Sequence, residues 1–338
     1  MLNREPTDLR LSLPSKGRLA EETLDFLADC GLPVYRPNPR QYEALIPDLP
    51  SVRVLFQRPP DIVVSVREGT VDFGITGLDV VEERKGELNE VMVIHDALNF
   101  GQCRLNLAVP EAWADVTSVY DLPQKAGSLN RKLRVATKYP ELTAKFLNNL
   151  SISYALIPAE GTLETAPSIG YADMISDIVS SGQTLRDNRL VALPDGCLLT
   201  SQAVLIANRD SLASRPEALQ AARYLLEFFE AHLRANENLS IFANMRGTSA
   251  EAVASSIFTS CHIPGLQGPT ISQVIVRNPN ETWFAVNIIV QRSHLYQAIT
   301  ELRAIGGSGV VVTPVKYIFD EEPPRYTALL QALKGAAS

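Results

Sequence analysis

The sequence predicts an α/β protein in two parts: a parallel-sheet region reaching to Ala207, then a small ferredoxin-like unit at the C-terminal end. Three observations carry this reading. Strand and helix patterns alternate at βαβ spacing through the first ninety residues. A long helical pattern from Arg215 to Ala235 then breaks that rhythm. After it, the chain closes on strand, strand, helix and strand. A length of 338 residues suits about two domains.

Leu9, Leu11 and Leu13 alternate with polar residues, a strand pattern, and Pro14-Ser15-Lys16-Gly17-Arg18 ends it. Leu19 to Cys30 carries Leu19, Leu24, Phe26 and Leu27 on one side, and Gly31 stops that helix. Val52 to Phe56 reads as a strand. Pro59-Pro60-Asp61 opens a helix, with Asp61 as its expected N-cap and Gly69 as its end. Val71 to Ile75 is a short buried strand leading into Thr76-Gly77. Further strands are expected at 103–109, 133–137, 154–157, 172–175, 189–193 and 203–207, with a helix over 140–150. Past the long helix, a helix near 250–258 precedes strands at 270–276 and 283–290, a helix over 295–304 and a strand at 310–312. The domain break is expected between Asn208 and Arg215.

The 31 Lys and Arg against 38 Asp and Glu leave a net charge of −7, which argues against nucleic acid or an anionic membrane as partner. A local basic site for a phosphorylated small molecule remains compatible with it. No apolar run approaches the roughly 18 residues of a membrane helix. Met1 to Asp8 carries neither a signal nor a transit pattern. Cys30, Cys103, Cys197 and Cys261 are widely spaced, without CxxC, so zinc knuckles and a disulfide framework are not expected. The expectation is a cytosolic protein with reduced thiols.

The most informative stretch runs from Asp173 to Leu185. It reads as a strand ending in the carboxylates Asp173 and Asp177, then a small-residue loop, Ser180-Ser181-Gly182-Gln183-Thr184. Small residues let backbone N–H groups wrap a phosphate, and hydroxyls add donors. The carboxylates suit ribose hydroxyls or a bound Mg²⁺. The same stretch also reads as a polar turn with a capping Asp. Lys16-Gly17-Arg18 and Arg58 each follow a strand and precede a helix, where ligands of open α/β sheets sit; solvated surface charge is the alternative. Glu160 and Gly161 follow another strand and line the cleft or cap a helix. Arg104 and Arg134, in or beside strands, each need a partner or a ligand. There is no GxSxG, GxGxxG or GxxxxGK[ST], and His95, His232, His262 and His294 have no metal spacing.

Seven segments in order resemble ATP phosphoribosyltransferase of the long form, the first enzyme of histidine biosynthesis. They are LSLPSKGRL (11–19), FQRPPDI (56–62), GTVDFGITGLDVV (69–81), NFGQCRLNLAVP (99–110), LRVATKYP (133–140), EGTLETAP to SDIVSSGQTL (160–185) and PGLQGPTI (264–271). The resemblance implies a bilobed catalytic core like type II periplasmic binding proteins. Lobe I would take 1–99 and 191–209, and lobe II 100–190. Residues 210–338 would form an ACT-like regulatory domain that binds histidine as inhibitor. It further implies ATP and phosphoribosyl pyrophosphate as substrates, Mg²⁺ as cofactor, and dimers or hexamers. Carried onto this chain, Ser180 to Thr184 would hold the 5-phosphate. Asp173 and Asp177 would serve the ribose, the catalytic step and Mg²⁺, and Lys16, Gly17, Arg18, Arg58, Glu160 and Gly161 the ATP polyphosphate. Three features depart from the pattern: SSGQT in place of STG-x-T, a longer stretch over 111–132, and a tail past Phe319. The rivals are a ligand-clamping binding protein and a paralogue that keeps the fold without the chemistry.

Overall fold

The computed structural model describes residues 9–38, 41–150, 152–159, 161, 163–260, 268–278 and 280–335. The chain divides into unit 1 (residues 1–222 and 328–338) and unit 2 (residues 223–327).

Unit 1 contains two sheets. The first takes β1 (Leu9–Pro14), β2 (Glu43–Leu45), β3 (Val52–Gln57), β4 (Phe73–Gly77) and β5 (Val91–His95) from the start of the chain. The second takes β6 (Cys103–Pro110), β7 (Leu133–Thr137), β8 (Tyr154–Pro158), β9 (Met174–Val179) and β10 (Leu190–Ser201). The chain then returns, and β11 (Ala203–Asn208) enters the first sheet between β4 and β5, giving the order β2-β3-β1-β4-β11-β5. The second sheet has the order β10-β6-β9-β7-β8. β1, β3 and β4 run parallel, as do β7, β8 and β9.

Helices α1 (Arg18–Asp29), α2 (Pro59–Arg67) and α3 (Leu78–Arg84) follow strands of the first sheet. Helices α4 (Leu122–Leu129), α5 (Pro140–Asn148) and α6 (Gln183–Asp187) belong to the second lobe, and α4 gives the stretch 111–132 its order. The helix pattern of α1 places Ala20, Thr23, Phe26 and Leu27 inward. In α2, Pro59 occupies the first turn and Arg58 is the N-cap; Asp61 lies inside the helix rather than capping it. Proline needs no N–H partner there, so the helix starts three residues earlier than a capping Asp predicts.

Two boundaries differ from expectation. Lobe I reclaims only 203–208, not 191–209. Residues 190–201 form one long strand paired antiparallel with β6 from Leu190↔Pro110 to Ser201↔Cys103, so they stay in the second sheet. The chain passes from unit 1 to unit 2 inside the long helix, after Ala222 rather than at 208–215. That helix, α8 (Pro216–Asn236), follows the short α7 (Arg209–Ser214) and buries Leu225, Leu226 and Phe229.

Unit 2 is a ferredoxin-like βαββαβ arrangement: the expected helix near 250–258 and terminal ββαβ are preceded by one further strand, β12. β12 (Asn238–Arg246) and α9 (Ala250–Ser260) precede β13 (Thr270–Val274), β14 (Trp283–Gln291), α10 (Leu295–Ala304) and β15 (Ser308–Pro314). The strands order β13-β14-β12-β15, all antiparallel. Alternate residues of β12 and β14, Ile241, Ala243, Met245, Phe284, Val286, Ile288 and Val290, form the core with Val253, Ile257, Ala298 and Leu302. The segment past β15 lies along α8. Tyr317 and Phe319 meet the Phe228 ring, and Arg223–Glu322 (2.9 Å), Arg234–Asp320 and Arg325–Glu230 (3.5 Å) pair across it. The last helix is α11 (Pro324–Gly335).

In unit 1, Asp72 is fully buried. It accepts from the Arg10 N–H at 2.8 Å, from Arg215 at 2.8 Å and from the Ser211 hydroxyl, tying β1 to the end of α7. Removing one partner of a buried ion pair strands the other charge. Arg215→Ala is therefore expected to lower stability by about 3 kcal/mol, measured as a drop in the urea midpoint of unit 1.

Candidate functional site

A cavity of about 730 Å³ lies between the two lobes of unit 1. Its volume falls in the range of small-molecule sites. The carboxyl ends of parallel strands rim it: Arg58 after β3, Gly77 at the end of β4, Thr137 and Lys138 at β7, Pro158 and Ala159 at β8, Ser180 after β9. First-turn residues of α1 (Arg18, Leu19), α2 (Pro59, Pro60, Asp61), α3 (Asp79) and α5 (Pro140) also line it. Helix N-termini bring partial positive charge, which adds to the cations Arg18, Arg58, Arg84 and Lys138. Arg18 is only loosely held, 3.8 Å from Glu22.

Acids on α3 are tied down. Asp79 accepts from the Ser201 hydroxyl at 2.6 Å and from the Tyr139 hydroxyl at 2.7 Å, and its own N–H donates to Ser201 Oγ at 2.9 Å. One turn on, Glu83 accepts the N–H groups of Glu141 and Leu142, both at 3.0 Å, at the start of α5. Burial pushes the Glu83 carboxyl up, against the pull of those two bonds. Burial, then the Asp79 charge, push the Tyr139 phenol far above its usual range, so it remains an O–H donor. The same two causes push the Cys103 thiol, also on the cavity wall, up to about 11.

The structure brings Arg18, Arg58 and Ser180 to one cavity. Lys16 and Gly17 are exposed just before α1, and Gly17 has φ +80. Ser180, Ser181, Gly182, Gln183 and Thr184 form an exposed turn running into α6, with Gly182 as N-cap at φ +71. Gln183 N–H bonds Ser181 Oγ at 3.3 Å, and Arg186 reaches Ser181 O at 3.3 Å and Gln183 Oε1 at 3.0 Å. Among the described residues, the N–H groups of Ser180, Ser181 and Gly182 donate to none. Gly161 is exposed; Glu160 lies outside the described residues.

Asp173 and Asp177 do not form a pair. β9 begins after Asp173 and runs through Asp177, so four residues, about 13 Å of strand, separate them, and only Asp177 is near the turn. Asp177 bonds the Ile178 N–H at 2.8 Å. Burial pushes its carboxyl up, opposed by that bond and by Lys138. Asp173 is held at the opposite end by Arg131 (2.5 and 2.7 Å), by Arg134 (2.9 Å) and by the Arg134 N–H (2.8 Å). Burial opposes its ionisation, but the two arginines outweigh that and hold it far below the usual carboxylate range. Arg134 thus finds its partner inside the protein, and Arg104 is exposed. The assignment of Asp173 to catalysis and to Mg²⁺ does not fit a carboxylate so fully engaged. Among the described residues no cluster of three or more His, Cys, Asp or Glu could hold a metal.

Asp79, Tyr139 and Lys138 were not singled out from the sequence. The rule that drew attention to Lys16 and Arg58, position just after a strand, applies equally to the ends of β4 and β7.

The family model described as ATP phosphoribosyltransferase (HisG) matches residues 58–227, and that of the HisG C-terminal domain matches residues 235–317. The chain belongs to the ATP phosphoribosyltransferase family. The second match marks it as the long form of this transferase family. Among relatives, the chain is 46% identical to ATP phosphoribosyltransferase 2, chloroplastic, of Arabidopsis thaliana, over 96% of this chain and 80% of that one. It is 33% identical to the ATP phosphoribosyltransferase of Bradyrhizobium sp. (strain ORS 278), over 97% and 99%. Among solved structures, the ATP phosphoribosyl transferase (HisG:HisZ) complex from Thermotoga maritima superposes with a TM-score of 0.50 at 25% identity, over 66% of this chain and 96% of that chain. No helix among the described residues is long and apolar enough to cross a membrane.

The Asp173 carboxyl, depressed in the fold, stabilises it above the unfolded value of about 4, and that contribution fades as pH falls from there towards the native value. Asp173→Asn is expected to lower the melting temperature at pH 7, with the deficit shrinking below about pH 4. A deficit that stays constant on acidification counts against the arginine pairing as its source.

Proposed function

We propose that this chain transfers the phosphoribosyl group of phosphoribosyl pyrophosphate to N1 of ATP, releasing pyrophosphate, as the first step of histidine biosynthesis. The observation that carries this reading is one cavity lined by the guanidinium groups of Arg18 and Arg58 and by Ser180, the first residue of a turn whose Ser180, Ser181 and Gly182 N–H groups donate to none among the described residues. Three successive N–H groups suit a terminal phosphate, and Gln183 and Thr184 complete its turn. Arg18, Arg58 and Lys138 suit polyphosphate; Lys16, Gly17 and Gly161, exposed outside the cavity lining, and Glu160, outside the described residues, are proposed to assist them. Asp177 serves the ribose.

In this reaction the N1 lone pair attacks C1 as the C1–O bond breaks, and that electron pair leaves on pyrophosphate. N1 needs no proton removed before attack, so the protein's work is orientation and charge stabilisation. Mg²⁺ belongs with the substrate's diphosphate. Asp173, paired with Arg131 and Arg134, has no oxygen to spare for it. We place the reaction in the cytoplasm, in keeping with the free thiols of Cys30, Cys103 and Cys197. We also propose that unit 2 binds histidine as inhibitor in a homo-oligomer, near the segment 264–270, of which 264–267 lie outside the described residues.

A coupled assay for pyrophosphate release from ATP and phosphoribosyl pyrophosphate tests the activity; no turnover sinks it. Asp177→Ala is expected to raise the KM for the sugar substrate and lower kcat by about tenfold, and unchanged kinetics refute its role. Isothermal titration of the full chain with histidine is expected to show binding. A flat titration removes the regulatory assignment.

A further inference from the structure

We propose that Asp79 is a positioning residue for the transfer: by accepting from Ser201 and Tyr139 at once, it ties both lobes to the crossover and fixes Tyr139 as a wall of the cavity. The inference rests on the reaction proposed above.

Each carboxylate oxygen has a different client. Oδ1 takes the Ser201 hydroxyl, and Oδ2 takes the Tyr139 hydroxyl. Ser201 is the last residue of β10, two before β11 begins, and it is the register partner of Cys103 at the start of β6. It therefore stands where the chain both enters and leaves the second lobe. Tyr139 is the N-cap of α5 in that lobe, and Asp79 lies in the first turn of α3 in the other. Three chain segments meet on one carboxylate.

Gly77 keeps room for this arrangement. A Cβ on residue 77 would sit 2.3 Å from Asp79 Oδ1. The backbone there has φ −75, open to any residue, so it is the carboxylate and not the backbone that asks for glycine. Glu83, four residues along the same helix, anchors the first turn of α5 from the same side. Asp79 and Glu83 thus both address the start of one helix.

The tie also disposes of a charge. Asp79 lines the cavity beside Arg18, Arg58 and Lys138 and, among the described residues, forms an ion pair with none of them. Hydroxyl donors occupy both oxygens, so the cations stay available to phosphate. Loss of the tie lets the Tyr139 ring move.

The test uses the full chain with Tyr139→Phe, Asp79→Asn, Gly77→Ala and the Tyr139→Phe/Asp79→Asn double variant. Steady-state kinetics with ATP and phosphoribosyl pyrophosphate are read beside hydrogen exchange in residues 139–143 and 199–203. Each single change is expected to lower kcat about tenfold, with either KM moving less than about threefold. The double variant is expected to be no worse than the poorer single. Exchange should quicken in both segments together in Asp79→Asn. Wild-type kcat in Tyr139→Phe, losses that multiply in the double variant, or faster exchange in only one segment would overturn the proposal. Should the unaltered chain fail to turn over these substrates, the reaction itself falls, and the exchange measurement still decides whether the tie exists.

Discussion

The placement of β11 is the constraint on which unit 1 depends. Its six residues are all buried, and it pairs on both sides, with β4 and with β5. A strand hydrogen-bonded along both edges and apolar on both faces has no tolerated alternative position. Its return forces the chain to cross between sheets twice. The two crossings meet at Cys103 and Ser201, and the cavity opens beside them with strand ends from both sheets around it. Fold and pocket are thus one geometric fact.

Electrostatics in unit 1 follow a shared plan. Each deeply placed acid is met by fixed donors: Asp72 by Arg10, Ser211 and Arg215, Asp79 by two hydroxyls, Glu83 by two helix N–H groups, Asp173 by two arginines. Buried charge is tolerated on these terms. What faces the cavity with less restraint is mostly cationic or donor-rich, which matches a polyanionic substrate in a protein whose net charge is −7. The overall acidity therefore says little about the pocket.

Much of this was legible before the structure. Alternation in Leu9 to Leu13, the breaker at Gly31 and the apolar run into Gly77 mark strands and helices by local pattern alone. Where the sequence reading erred, non-local pairing decided. Nothing in 190–201 tells a reader that the strand continues past Leu193, because its length is set by β6 on the neighbouring edge. β12 was overlooked although Leu239, Ile241, Ala243 and Met245 alternate inward; the outward Phe242 among them and an adjoining long helix masked the period. The site shows the same division. Ser180 to Thr184 and the strand-end arginines are recognisable by residue type and position. The fate of Asp173 is not, since it turns on arginines some forty residues away that only the fold delivers.

The register of Cys103 with Ser201 has a bearing on how the chain acquires its shape. The second lobe is an insertion whose two ends emerge side by side. Once it has formed, bringing β11 back to β4 and β5 closes a gap of only a few residues. Without it, the same closure spans about a hundred residues, and the entropy of joining chain ends grows with the logarithm of the loop. The inserted lobe therefore acts as a staple for the sheet that precedes it in the sequence. Damage to its β6–β10 edge is felt in the first sheet as a longer tether, even where no contact there has changed.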